Sequence, residues 1–309
     1  MDILTIILVI AGLVLFETIT SIDNAIINAE VLSTMSERAK RWFLLWGLIL
    51  AVFAVRGLLP WLIVWASAPA LSPLEAFTAT LTSDPIVIAS IEQSAPILLM
   101  AGGTFLLFLF LNWLFLENKN FGLTGERYIA TKGVWFFALV SVLLTCLVWF
   151  ALEKSPLIAF GSVVGSTAFF IVHGFRKNAE LAEEKMLRSS DMSDLSKIFY
   201  LEVIDATFSI DGVIGAFAFT MAVPLILIGN GIGAFVVREL TVRNVENIKK
   251  YRYLKNGAMY SILFLGIIMI MEGFSVHIPF WISPVITFGV VGFFLVKSMR
   301  EIPRIPGSN

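Results

Sequence analysis

An all-α, polytopic membrane protein with about nine transmembrane helices is the fold this chain predicts. Three observations carry that expectation. Of the 309 residues, 58% are hydrophobic, and the mean hydropathy is +0.89. Charged residues make up 15%, against about 25% in ordinary soluble domains. Apolar runs of spanning length, roughly 20 residues, recur from one end of the chain to the other.

The first run, 3–31, has no basic stretch ahead of it and carries Glu17 and Asp23. It therefore reads as a span and not as a cleavable signal peptide. Further spans are expected at 42–68, 96–117, 134–152, 156–174, 198–221, 223–242, 257–275 and 280–298. The spans at 198–221 and 223–242 adjoin, with Pro224 marking the turn between them.

Basic residues set the orientation. Arg38, Lys40 and Arg41 follow the first span, and Lys119, Arg127 and Lys132 follow the third. Arg176, Lys177, Lys185, Arg188 and Lys197 follow the fifth; Arg243, Lys249, Lys250, Arg252 and Lys255 follow the seventh. The loop at about 69–95 has no Lys or Arg, the loop after the fourth span has Lys154 beside Glu153, and the loop after the eighth has no basic residue. The tail carries Arg300 and Arg304. This alternation predicts a cell-membrane protein with its N-terminus outside and its C-terminus in the cytoplasm.

Composition excludes several classes. A formal net charge of −1 gives no signal for nucleic acid. The single Cys146 excludes an intrachain disulfide and a CxxC redox pair. No zinc-finger spacing is present, and no prosthetic group is expected.

Two segments echo one another. Glu17-Thr18-Ile19-Thr20-Ser21-Ile22-Asp23-Asn24 matches Asp205-Ala206-Thr207-Phe208-Ser209-Ile210-Asp211-Gly212, with Glu202 just ahead of the second. In each, an acid stands six residues before the Asp of a Ser-Ile-Asp triplet. Gly47 precedes Arg56 by nine residues, as Gly229 precedes Arg238, and Gly102 to Glu117 parallels Gly257 to Glu272. Three matches in one order predict a repeat of three spans. The copies start five spans apart, and an odd offset inverts the second across the membrane, as in many secondary transporters. The expected divisions are a first repeat at 1–117, a connecting helix pair at 118–174 and a cytoplasmic linker at 175–197. An inverted repeat at 198–275 and a last helix with its tail at 276–309 follow.

A carboxylate at a helix centre costs about 2.5 to 3.5 kcal/mol on insertion scales. Five in one chain point to a positively charged partner. On a helix, Glu17, Ser21, Asn24 and Asn28 share a stripe, as do Glu202, Asp205 and Ser209. Asp23 and Asp211 fall off these stripes. Either the helix opens there, helped by Thr18, Thr20, Ser21 and Asn24 or by Gly212, or the Asp meets a second inner surface. All the ligand atoms are oxygens, the choice of hard divalent ions such as Mn²⁺, Ca²⁺ or Mg²⁺. Carboxyls beyond those one ion needs suit proton exchange.

The bland reading of each acid is an ion pair with a buried Arg, and Arg56 stands mid-span to provide one. Arg238 reads as a snorkelling side chain near the cytoplasmic interface. Glu117 and Glu272 read as interfacial, and His173 and His277 receive no role. Gly102, Gly103, Gly161 and Gly165 are expected to let helices approach closely.

At these residues the chain resembles the TerC family of integral membrane proteins, related to the LysE-type transporters. The family pattern of Glu followed six residues on by Asp-Asn is met by Glu17, Asp23 and Asn24. Its second pattern is met by Glu202, Asp205, Phe208, Ser209 and Asp211. Gly212 stands where many members have Ser, and Ser21 where many have Gly. The resemblance implies metal-ion transport, with Mn²⁺ export first and Ca²⁺ as the alternative, in exchange for protons. The metal site expected is Glu17, Asp23, Asn24, Glu202, Asp205 and Asp211, supported by Ser21, Asn28, Arg56 and Ser209. Glu202 is assigned to the ion or to the proton. The rival readings are an intramembrane aspartyl protease, whose Gly-x-Gly-Asp context is missing, and a membrane scaffold of a metal-stress complex.

Overall fold

The computed structural model describes residues 2–68, 70–78, 85–188, 193–248 and 250–301. Among them every regular element is helical. The chain opens with α1, Ile3–Thr20, and α2, Ile22–Ser33. Next comes a composite helix: α3 (Glu37–Trp42), a π segment π1 (Phe43–Gly47), α4 (Leu48–Leu50), a second π segment π2 (Ala51–Leu58) and α5 (Leu59–Ser67). The short α6 (Pro73–Thr78) leads to α7 (Pro85–Leu116), and α8 (Glu126–Ala130) to α9 (Trp135–Leu152) and α10 (Pro156–Arg188). The second half holds α11 (Asp194–Ala216), α12 (Val223–Ile248), α13 (Leu254–Gly273) and α14 (Ile282–Glu301).

The protein is an all-α polytopic membrane protein. Among the described residues, seven helices are long and apolar enough to cross a membrane: α1, α7, α9, α10, α12, α13 and α14. The other two expected spans, 42–68 and 198–221, are helical as well, but differ in kind. The composite helix is interrupted by its π turns, and α11 carries Lys197, Glu202, Asp205 and Asp211. Helix α10 continues well past the expected end of its span, so most of the stretch read as a linker is helical; residues 189–192 of it lie outside the described residues. Charge ends an apolar run there without ending the helix, because Ala, Glu, Lys and Leu are good helix formers.

Helices α7 and α13 form the centre. Their backbones touch: a Cβ on Gly103 would lie 2.8 Å from the Gly266 carbonyl. Helix α10 meets α7 in the same way, with Gly161 and Gly165 against the Ile97 and Ala101 carbonyls. Phe105, Phe108, Trp113, Phe136 and Phe169 fill the space between. Helix α9 lies outermost, exposing Val134, Trp135, Phe137, Val142 and Trp149, as a lipid-facing helix does.

Three helix pairs position the acidic segments, and each runs antiparallel. Glu17 lies against Gly212 while Thr34 and Ser36 meet Lys197 and Asp194, so α1 and α2 oppose α11. Gly57 lies against Leu227, and Val52 against Gly231, so π2 opposes α12. Glu117 pairs with Lys255 and Met100 meets Gly273, so α7 opposes α13. The turn between α11 and α12 is itself buried: Phe219 packs on Gly12, and the Ala218 carbonyl accepts from Ser283 Oγ.

Candidate functional site

The first acidic segment is bent. Helix α1 stops at Thr20, Ser21 takes φ −91° and ψ 1°, and α2 starts at Ile22. The cause is local. Thr18 Oγ1 donates to the Val14 carbonyl at 2.7 Å and Thr20 Oγ1 to the Phe16 carbonyl at 2.9 Å. Such back-bonding competes for the helix ladder and bends it. Bonds from Ser21 N to Glu17 O and from Ala25 N to Ser21 O survive, so the opening is one residue wide.

Around this bend lies a buried charge cluster. Arg56, from π2, is 2% exposed. Its Nε donates to Glu17 Oε1 at 2.8 Å, and its Nη2 lies 2.6 Å from the same oxygen. Its Nη1 reaches Asp205 Oδ2 at 3.3 Å. Ser21 Oγ adds a bond to Glu17 Oε1 at 2.9 Å. One guanidinium thus ties α1 to α11. The geometry is of the kind that makes breaking a buried pair costly, because the remaining charge stays desolvated.

Next to it, Arg238 Nη2 lies 3.4 Å from Glu202 Oε1. Arg238 also donates to the Phe43 carbonyl, and its guanidinium stacks over the Phe43 ring at 4.3 Å. Gly47 leaves the room this pair needs, since any side chain there would strike Glu202. Arg238 is therefore an inward, paired residue, which corrects the snorkelling expectation. Its position as the repeat counterpart of Arg56 was the signal that it shares this environment.

Asp211 is buried but faces the other way. Helix α11 is continuous through Ser209, Ile210 and Asp211, so the second segment does not open. Asp211 instead makes an ion pair with Arg176 of α10, the second inner surface that its helical phase allowed. Arg176 fell in the expected linker, and sequence reasoning gave it no role. At the end of α7, Glu117 pairs with Lys255 at 3.0 Å. Burial would raise the Glu117 carboxyl, but the charges of Lys255, Arg176 and Lys119 hold it below its usual range.

Several buried polar atoms have no hydrogen-bond partner. Among the described residues these include Glu17 Oε2, Asn28 Oδ1, Ser209 Oγ, Asp211 Oδ1 and both amide heteroatoms of Asn230. Buried atoms of this kind call for a ligand, an ion or water. Glu17 Oε2 is aimed at α11, where a Cβ on Gly212 would lie 2.7 Å from it. Ser209 sits one turn before Gly212 on the same helix.

Of the expected site, the structure brings together Glu17, Ser21, Arg56 and Asp205, with Glu202 alongside through Arg238. It sets Asp211 on the opposite face of α11. The backbone of Asp23 and Asn24 lies in the first turn of α2, and their side chains lie outside what is described. Among the described residues, no three His, Cys, Asp or Glu side chains converge as a metal cage. The arginines are interleaved with the carboxylates and take that place.

The family model described as "Protein of unknown function (DUF475)" matches residues 22–304. No curated protein and no solved structure matches the chain. A match over that length shows the family: the chain belongs to DUF475.

Proposed function

We propose that this DUF475 membrane protein exports a divalent cation, Mn²⁺ before Ca²⁺, by alternating access and in exchange for protons. The observation that carries this reading is the Glu17–Arg56–Asp205 bridge. Two carboxylates from antiparallel helices are held at one buried point, and Glu17 Oε2 is left without a partner. Hard oxygen donors suit Mn²⁺ or Ca²⁺. The three antiparallel pairs support an inverted repeat, since each joins a helix to its expected counterpart. The resemblance of both acidic segments to the TerC pattern supports the same reading.

An open cleft of about 510 Å³ lies beside the buried α11–α12 turn, lined by Glu92, Glu272, Thr220, His277 and Ser283. Its place on the side of the non-basic loops suits it as an outer vestibule for cations. The protease reading is disfavoured because a catalytic pair must share a proton. Here Arg56 stands between Glu17 and Asp205, and Arg176 is paired with Asp211.

The test is Mn²⁺ flux in proteoliposomes. Glu17→Gln and Asp205→Asn are expected to abolish flux while the protein still purifies as a folded species. Asp23→Asn is expected to do the same. Wild-type flux in the Glu17→Gln and Asp205→Asn proteins would remove the site from consideration.

A further inference from the structure

We infer that Arg56 is a tethered substitute for the transported cation: guanidinium and divalent ion exclude one another between Glu17 and Asp205. This rests on the transport reading above and adds how the site is neutralised when no substrate is on it.

The geometry is that of a ligand, not of a surface ion pair. Arg56 reaches two carboxylates on two different helices, as a bridging divalent ion would, and it does so at 2% exposure. A guanidinium keeps its charge at every physiological pH, so this counter-ion cannot be lost by titration. Two carboxylates facing one another in an apolar site without a cation would repel and draw protons. A carrier that must reorient without substrate would meet that cost on every return step. Arg56 removes it.

The cluster also leaves room for exchange. Among the described residues, three carboxyl groups, Glu17, Glu202 and Asp205, face two guanidiniums, so the acids outnumber the arginines that neutralise them. The orphan oxygens Glu17 Oε2 and Ser209 Oγ offer an incoming ion its first contacts before Arg56 has moved. Arg56 stands on π2, whose wide turns can revert to α-helix and so turn the side chain about the helix axis. Glu202 lies within electrostatic range to receive the displaced guanidinium. Arg238 has no such freedom, because the Phe43 carbonyl and ring hold it.

The test compares three readouts on purified protein: equilibrium Mn²⁺ binding, net Mn²⁺ flux, and Mn²⁺/Mn²⁺ exchange in proteoliposomes. Arg56→Gln is expected to bind Mn²⁺ about tenfold tighter or more, a difference of about 1.4 kcal/mol. It is expected to keep exchange and to lose most net flux, because the empty site no longer has its counter-ion. Arg56→Lys keeps the charge without the planar fork and should shift all three readouts the same way by less. If Arg56→Gln does not fold, Arg56→Lys decides. Binding that is unchanged or weaker, or an unchanged ratio of net flux to exchange, overturns the inference while wild-type transport stands. A wild-type protein that neither binds nor moves Mn²⁺ or Ca²⁺ overturns the transport reading, and the inference with it.

Discussion

The two acidic segments share a sequence pattern and differ in shape. The first bends at Ser21, with α1 ending one residue before and α2 starting one residue after. The second runs as one helix to Ala216. The difference lies in the hydroxyls. Thr18, Thr20 and Ser21 all bond inward in the first copy, to carbonyls or to Glu17. In the second copy Thr207 bonds the Val203 carbonyl, and Ser209 Oγ has no partner. The neutralisation differs too. Glu17 uses one arginine, whereas Glu202, Asp205 and Asp211 use three. The first segment is built as a hinge, and the second as a rigid post braced on two faces.

Breaking the brace gives the largest expected effect. Arg176→Ala leaves Asp211 buried and charged, at a cost of about 3 to 5 kcal/mol. Thermal unfolding in detergent should show this loss, and adding Asp211→Asn should recover part of it. If Arg176→Ala unfolds like wild type, the second segment is not braced by α10.

Contact between hinge and post comes next. Gly212→Ala places a methyl against Glu17 Oε2, and overpacking of that kind costs about 1 to 3 kcal/mol. Alanine is the better helix former by roughly 1 kcal/mol, so a net gain in stability would mean that the two segments do not touch there.

Deleting hydroxyls separates the segments more finely. Ser21→Ala removes its bond to Glu17 and should cost about 1 kcal/mol. Thr207→Val, on the unbent segment, should stay within about 0.5 kcal/mol of wild type. Equal effects would contradict a hinge in the first copy alone.

The smallest effect lies at the end of α7. The Glu117 carboxyl is held below its unfolded value near 4.3, so its contribution is present above that pH and fades as pH falls through the folded value. Lys255 and Glu117 are each about a third exposed, so solvent screening keeps the pair at or below about 1 kcal/mol. Glu117→Gln should lower stability near neutral pH by that amount and flatten the acid limb of a stability-versus-pH curve, so that it meets the wild-type curve at low pH.

Much of this was legible in the chain. The spans are long apolar runs, and composition over twenty residues is a local property. The stripe phase of Glu17, Asp205 and Ser209 is likewise local, and it correctly separated them from Asp211. The partners of these acids were harder to read. Arg56 is 39 residues from Glu17 and 149 from Asp205. Arg238 looked like an end-of-span cation, and Arg176 lay beyond the expected end of its span. A charged residue's role depends on which helix faces it, and no window along the sequence contains that information.

By itself, then, the sequence determined an all-α membrane chain, the places of seven of its expected spans and the presence of two acidic segments within apolar runs. Hydrophobic run length and helical period are sufficient for that, because each residue contributes independently of distant ones. Tertiary structure alone decided which arginine neutralises which acid, that one Ser-Ile-Asp triplet bends its helix while the other does not, and that Glu17 and Asp205 meet at a single guanidinium. Those outcomes depend on antiparallel packing across the whole chain, where desolvation makes every buried charge find a partner in space and not in sequence.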